Sequence, residues 1–189
     1  MTDAPEIDTA KAAARKAVFA ARSEAHGSGL DAAAQAHLAH AIAPHAEEPL
    51  AGYMPIRTEI DPVPVMAAHR GPVGVPVILG RGRPLAFHEW APDGEMVEGP
   101  FGARIPASGR PMVPKVLIVP LVGFDARGYR LGYGGGFYDR TLAELRAAGP
   151  VLAIGFAYGV QECARLPIDA HDQRLDMVVT EAGIRHFGD

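Results

Sequence analysis

An uninterrupted apolar run over residues 116–124 ends in the turn Asp125-Ala126-Arg127-Gly128, and this is the feature that most limits how the chain can fold. Arg130 follows, then glycines at 132, 134, 135 and 136, then a helix-like stretch over 137–148. A short continuous apolar run ending in a turn reads as a strand. Strand, glycine loop and helix in that order form a phosphate cradle. Glycines let backbone N–H groups approach an anion, and a helix N-terminus adds partial positive charge. Arg130 and Arg140 flank the loop and can supply full charges. Asp139 is placed where a carboxylate can hold magnesium against phosphate oxygens. The spacing excludes two familiar loops. A Walker loop needs Gly-Lys-Ser/Thr at its end, and Phe137-Tyr138 follow Gly136 here; a dinucleotide fingerprint needs glycine at the position of Phe137.

The remaining pattern predicts an α/β fold in a single domain over 1–189. A helix starts at Asp8 or Thr9 and runs to about His26, and a second covers 30–43, ending at Pro44. Residues 50–53 read as a short strand and 61–70 as a helix opened by Asp61-Pro62. Strands are expected at 75–79 and 85–90, an irregular Pro/Gly-rich loop at 91–114, and strands at 116–122, 151–156 and 177–180. With 48% hydrophobic and 21% charged residues the composition is ordinary for a globular chain. A net charge of −4 argues against nucleic acid as a partner. The lone cysteine, Cys163, can make neither an internal disulfide nor a cysteine-based zinc site, which suits a reducing cytoplasm. Asp3, Glu6 and Asp8 break any signal-peptide core, and the apolar run is too short to span a membrane. His37 and His40, one helical turn apart, lack a carboxylate or cysteine to complete a metal site and are expected at the surface. His171-Asp172 lacks the further histidines of a metal-dependent phosphohydrolase.

The run Arg130-Leu131-Gly132-Tyr133-Gly134-Gly135-Gly136-Phe137-Tyr138-Asp139-Arg140, within residues 119–140, closely resembles the signature of the 5-formyltetrahydrofolate cyclo-ligases. The resemblance implies an ATP- and Mg2+-dependent enzyme that turns 5-formyltetrahydrofolate, with or without a polyglutamate tail, into 5,10-methenyltetrahydrofolate. It also implies a largely parallel sheet flanked by helices, similar to the NagB/RpiA/CoA transferase-like fold, and a monomer that binds neither nucleic acid nor membrane. Further segments resemble the family. On the first helix Lys11, Arg15 and Arg22 share one stripe, which by itself reads as a solvated basic face. Lys11-Ala-Ala-Ala-Arg15 matches a family pair that contacts ATP phosphate. Residues 53–61 resemble the folate pocket, with Met54 as an apolar wall and Glu59 as the carboxylate that accepts from a pterin edge. In the segment from Pro167 to Asp176, Asp176 matches a magnesium-site aspartate.

The site the resemblance implies is therefore specific. ATP is held by Lys11, Arg15, Arg130, Leu131, Gly132, Tyr133, Gly134, Gly135, Gly136, Phe137 and Tyr138. Folate meets Met54, Glu59, Tyr133, Gly134, Gly135, Gly136 and Phe137; Asp139 and Asp176 hold Mg2+; Arg130, Tyr138 and Asp139 are the catalytic group. Two departures stand out. The Ile-x-Glu-Pro element of the family is replaced by Phe101-Gly102-Ala103-Arg104-Ile105-Pro106, and an aspartate before the main strand is Lys115. Two alternatives remain open: an isomerase or coenzyme A transferase on a related scaffold, and a catalytically silent nucleotide- or folate-binding relative.

Overall fold

Val116–Pro120 (β7) is the strand around which the molecule is built. Val116, Leu117, Ile118 and Val119 are all fully buried. Because side chains alternate along a strand, Val116 and Ile118 enter one core while Leu117 and Val119 enter another. The first core lies under the helix Asp31–Ile42 (α2), which contributes Ala34, Leu38 and Ile42. The second lies under Phe137–Ala148 (α4), which contributes Leu142. Burial on both faces is why the run carries no polar residue.

The computed structural model describes residues 4–99 and 104–188. Asp3 and the residues 101–103 of the divergent segment lie outside them. On one side of β7 are the parallel strands Leu50–Ala51 (β1) and Val73–Ile78 (β2), followed by the antiparallel Leu85–Glu89 (β3) and Pro111–Met112 (β6). On its other side are the parallel strands Leu152–Phe156 (β10) and Met177–Thr180 (β12), then the antiparallel Gly183–His186 (β13). The centre of the sheet is thus parallel, as expected, and both edges are antiparallel. Ala4–Ala25 (α1) begins a turn before Asp8, since proline at position 5 is tolerated in a first turn. The helix expected over 61–70 is only Val63–Ala67 (α3).

The stretch 91–114 is not irregular throughout. Met96–Glu98 (β4) and Arg104–Pro106 (β5) pair as an antiparallel ribbon, and β6 is a proline-bearing edge strand, where a missing N–H costs no ladder bond. Past β7 the chain forms a small sheet from Gly123–Asp125 (β8), Arg130–Leu131 (β9) and Glu162–Cys163 (β11). Buried Asp125 organises its turn. The carboxylate accepts from the N–H groups of Leu166 at 3.0 Å and Arg127 at 3.0 Å, and from the Arg127 guanidinium. Burial alone would raise its pKa, but these bonds win and hold it below the ordinary aspartate value. No helix among the described residues is long and apolar enough to cross a membrane.

Candidate functional site

In a parallel sheet the loops leaving the carboxyl ends of the strands meet over one edge. Here the segment after β1 (Tyr53, Met54, Ile56, Arg57, Glu59), the end of β2 (Pro76, Ile78) and Pro120 of β7 floor a cavity of about 1030 Å³. The glycine loop and the first turn of α4 form one wall; Lys11 and Arg15 of α1 and residues 169–173 form another. Ile105 of β5 also reaches it, so the divergent middle of the chain contributes to the lining. That volume lies at the upper end of the range for ligand pockets and leaves room for more than one small molecule.

The loop is shaped by left-handed backbone at Gly134 (φ 97°) and Gly136 (φ 61°). Gly136 caps α4 without a side-chain bond, so the helix opens on the cavity through backbone alone. Gly135 has an ordinary φ, and what a Cβ there would meet is the Phe137 ring at 2.7 Å. Two arginines that also line the cavity brace the loop. Arg15 Nε donates to the Gly132 carbonyl at 2.8 Å, and Arg140 donates to the Gly135 carbonyl. Arg140 Nε is buried with no hydrogen-bond partner among the described residues. Leu131 is buried in β9 and supports the loop from beneath.

The basic stripe on α1 is not a solvated face. Lys11 is 9% exposed and Arg22 only 1%, whereas Lys16, off the stripe, is exposed. Lys11 Nζ lies between two carboxylates, 2.9 Å from Asp169 and 2.7 Å from Asp172. Burial acts to lower its pKa, yet the bonds to Asp172 and Asp169 outweigh it and the ammonium is held above its usual value. Arg22 does not reach toward a phosphate; it points into the protein beneath Tyr133.

Arg130 is buried and donates to Asp139 Oδ1 at 2.8 Å and to the Gln173 carbonyl at 2.6 Å. The same Asp139 oxygen accepts the Gln173 N–H at 3.0 Å. Asp139 is thereby stitched to the residue after Asp172, and both carboxylates line the cavity.

Asp176 is not with them. It accepts from the Ala153 N–H at 2.6 Å and from Arg146, near the far end of α4. A residue that precedes a parallel strand lies at the sheet's amino edge, opposite the glycine loop, so Asp139 and Asp176 do not form a shared ion site. The aspartates of that segment that line the cavity are Asp169 and Asp172, and Asp172 is the one next to the Gln173 that Asp139 holds. Among the described residues no group of three or more His, Cys, Asp or Glu side chains is arranged to hold a metal. Magnesium, however, needs only one or two protein carboxylates beside phosphate oxygens. Asp139 and Asp172, hard donors at 25% and 14% side-chain exposure, fit that demand.

At the other end of the cavity Glu59 is buried. Its Oε2 accepts the Ile56 N–H at 2.9 Å and its Oε1 accepts the Tyr133 hydroxyl at 2.9 Å. Burial raises the carboxyl above the ordinary glutamate pKa despite those bonds. Burial, then the charge of Glu59, pushes the Tyr133 phenol up to about 12 and Tyr138 higher still. Met54 packs against the first core and shows an edge to the cavity. Arg57 at the rim has φ 56°, an uncommon value for a residue with a side chain, and lies 5.8 Å from the Tyr133 ring. Arg57, Asp169 and Asp172 were assigned no place in the site from sequence, although they lie within the segments 53–61 and 167–176 that resemble the family.

His37 is half-buried rather than a surface group. Its Nδ1 donates to the Thr180 carbonyl at 3.0 Å, because a carbonyl can only accept. Cys163 is a structural thiol whose pKa burial raises.

A parallel sheet whose carboxyl edge joins a backbone anion cradle to a buried carboxylate is suited to a polyphosphate and a flat polar heterocycle side by side. The chain belongs to the 5-formyltetrahydrofolate cyclo-ligase family, whose sequence profile matches residues 8–181. It is 37% identical over 105 residues to the 5-formyltetrahydrofolate cyclo-ligase of Escherichia coli K12, covering 53% of this chain and 57% of that protein. The enzyme of the same name from Mycolicibacterium smegmatis is 34% identical over 104 residues, 51% of each. The matched part thus spans about half the length of these curated relatives. The solution structure of Aquifex aeolicus 5,10-methenyltetrahydrofolate synthetase superposes with a TM-score of 0.78 at 29% identity, over 95% of this chain and 93% of that one. A Mycoplasma pneumoniae protein named as a 5,10-methenyltetrahydrofolate synthetase shares the fold at a TM-score of 0.72 and 24% identity, over 90% and 98%.

Proposed function

We propose that this chain is an ATP-dependent 5-formyltetrahydrofolate cyclo-ligase that releases 5,10-methenyltetrahydrofolate, ADP and phosphate. The observation that carries the reading is that one cavity holds both the glycine loop with its arginines and the buried Glu59. Two ligands that react with each other must share a cavity, and these walls suit a triphosphate and a pterin in turn.

The formyl group on N5 is an amide, and its oxygen leaves poorly. Attack of that oxygen on the γ-phosphorus of ATP forms an iminium phosphate and frees ADP. N10 then attacks the activated carbon, the ring closes and phosphate departs with the former formyl oxygen. No covalent enzyme nucleophile is required; the protein positions the reactants and stabilises charge. The loop amides, Arg15, Arg130 and Arg140 hold phosphate charge, Glu59 accepts from the pterin edge, and Met54 and Phe137 pack on flat rings. Lys11 joins the phosphate site when Asp172 is drawn elsewhere. Asp139 and Asp172 are the residues that would hold Mg2+, which when bound neutralises phosphate charge. Burial raises the Tyr138 phenol well above its ordinary pKa, so it meets the ligands as a neutral hydroxyl that can donate a hydrogen bond. The setting that suits this chemistry is the cytoplasm, with a monomer as the working unit and folates with or without polyglutamate tails as substrates.

The test is direct. Purified protein with 5-formyltetrahydrofolate and MgATP should generate the near-ultraviolet band of the methenyl product, and no band when ATP is omitted. A folded protein that gives no band under any condition, yet binds either ligand, is the silent relative instead.

A further inference from the structure

Arg22 heads the large side chains that are fully buried, at 1% exposure. None of the ion pairs among the described residues involves it. A buried cation without a direct counter-ion is costly, and a fold keeps one only where it performs a task. Its Nε donates to Thr58 Oγ1 at 3.1 Å, one N–H points at the Leu121 carbonyl at 3.5 Å, and another donates to the Tyr133 hydroxyl at 3.0 Å. Phe19 lies 4.9 Å from the guanidinium, on the ring face.

The direction of the hydrogen bonds is decisive. A guanidinium can only donate, so the Tyr133 oxygen must accept from Arg22. The phenol proton is then committed to Glu59 Oε1, 2.9 Å away. Thr58, next to Glu59 in sequence, is pinned by the same guanidinium. We propose that Arg22 is a positioning residue for substrate recognition, acting through Tyr133 and Thr58 to fix the orientation of the Glu59 carboxylate. This rests on the reading that Glu59 receives the pterin. Arg22 never meets the ligand, and its cost is offset by an ordered carboxylate at the one place where the pocket needs a strong acceptor.

The experiment compares wild type, Tyr133→Phe, Arg22→Lys and Arg22→Met. Affinities for 5-formyltetrahydrofolate and ATP are measured separately by calorimetry, alongside kcat, KM and a thermal melt. Tyr133→Phe and Arg22→Lys should each raise KM and Kd for the folate by about tenfold or more, the scale of one lost charge-assisted bond. Affinity for ATP should fall much less than affinity for the folate in each variant. Arg22→Lys decides between the relay and direct contact, because a residue so buried cannot touch substrate and lysine keeps the charge while losing the fork. If Arg22→Met does not fold, Tyr133→Phe, altered at a side chain open to the cavity, still carries the test. Unchanged folate affinity in Tyr133→Phe, or equal losses for folate and ATP, overturns the relay. A wild type that binds ATP but no folate overturns the functional reading and the relay with it; a wild type that binds both leaves the relay alone at stake.

Discussion

Removing the carboxylate of Asp139 should cost more stability than removing the guanidinium it pairs with. The two side chains are unequally buried, Arg130 at 3% and Asp139 at 25% exposure. Breaking a buried pair by deleting one member costs about 3–5 kcal/mol, because the survivor is left charged and dry. Asp139→Ala strands Arg130, which has only the Gln173 carbonyl left. Water reaches the quarter-exposed end, so we take about 2–3 kcal/mol. For a chain of this size each kcal/mol moves Tm by about 2–4 °C, giving a fall of about 4–12 °C. Asp139→Asn keeps an oxygen that accepts from both Arg130 and the Gln173 N–H, and should lose about 1 kcal/mol, the difference between a charged and a neutral acceptor. Arg130→Met leaves Asp139 with the Gln173 N–H and with water, and methionine fills most of the volume, so about 1 kcal/mol is expected there too. Thermal melts without ligand, checked by urea titration, measure all of these. If Arg130→Met melts below Asp139→Ala, the asymmetry drawn from burial is wrong.

Asp172→Asn should weaken Mn2+ binding, measured with a non-hydrolysable ATP analogue, by about tenfold or more, while Asp176→Asn leaves the titration in place; the reverse pattern would restore Asp176 as the metal residue. Glu59 has a folded-state pKa above its unfolded value, so its favourable contribution is complete below about pH 4 and is lost as pH rises through the folded value. The Tm of wild type relative to Glu59→Gln should therefore decline as pH rises above about 4, and a constant difference would refute the burial argument. Gly135→Ala should weaken ATP binding because its Cβ meets the Phe137 ring rather than because of backbone strain. Gly135→Ala and Phe137→Ala should then be non-additive by about 1 kcal/mol, and simple additivity in calorimetry would point elsewhere.

The sequence revealed the parts of the molecule that local pattern controls. The strand expected over 116–122 is Val116–Pro120, and the helix 137–148 has the bounds expected of it. The two- and three-residue strands of the small sheet and the β4–β5 ribbon were missed, since pieces so short carry no periodicity. Lys11, Arg15 and Arg22 were correctly put on one stripe, but charge suggested a wet surface. Nothing local announces that Asp169 and Asp172, from the other end of the chain, will cover Lys11. The misplacing of Asp176 could have been avoided. A residue just before a parallel strand and a loop just after one lie at opposite edges of the sheet by topology alone, so Asp139 and Asp176 were never able to share an ion. Family resemblance located the segment, and the direction of the strands decides which of its aspartates face the cavity.

The seating of α2 has a consequence for synthesis on the ribosome. This helix rests on β12, and its His37 is tied to Thr180, 143 positions later in the chain. Lys11 likewise waits for Asp172, 161 positions away. The helices α1 and α2 are made before these partners, so their packing is completed only after the carboxyl-terminal strands have left the exit tunnel. Fragments that stop before residue 177 should be captured by holding chaperones rather than fold in part, and the full chain should gain protease resistance in a single late step.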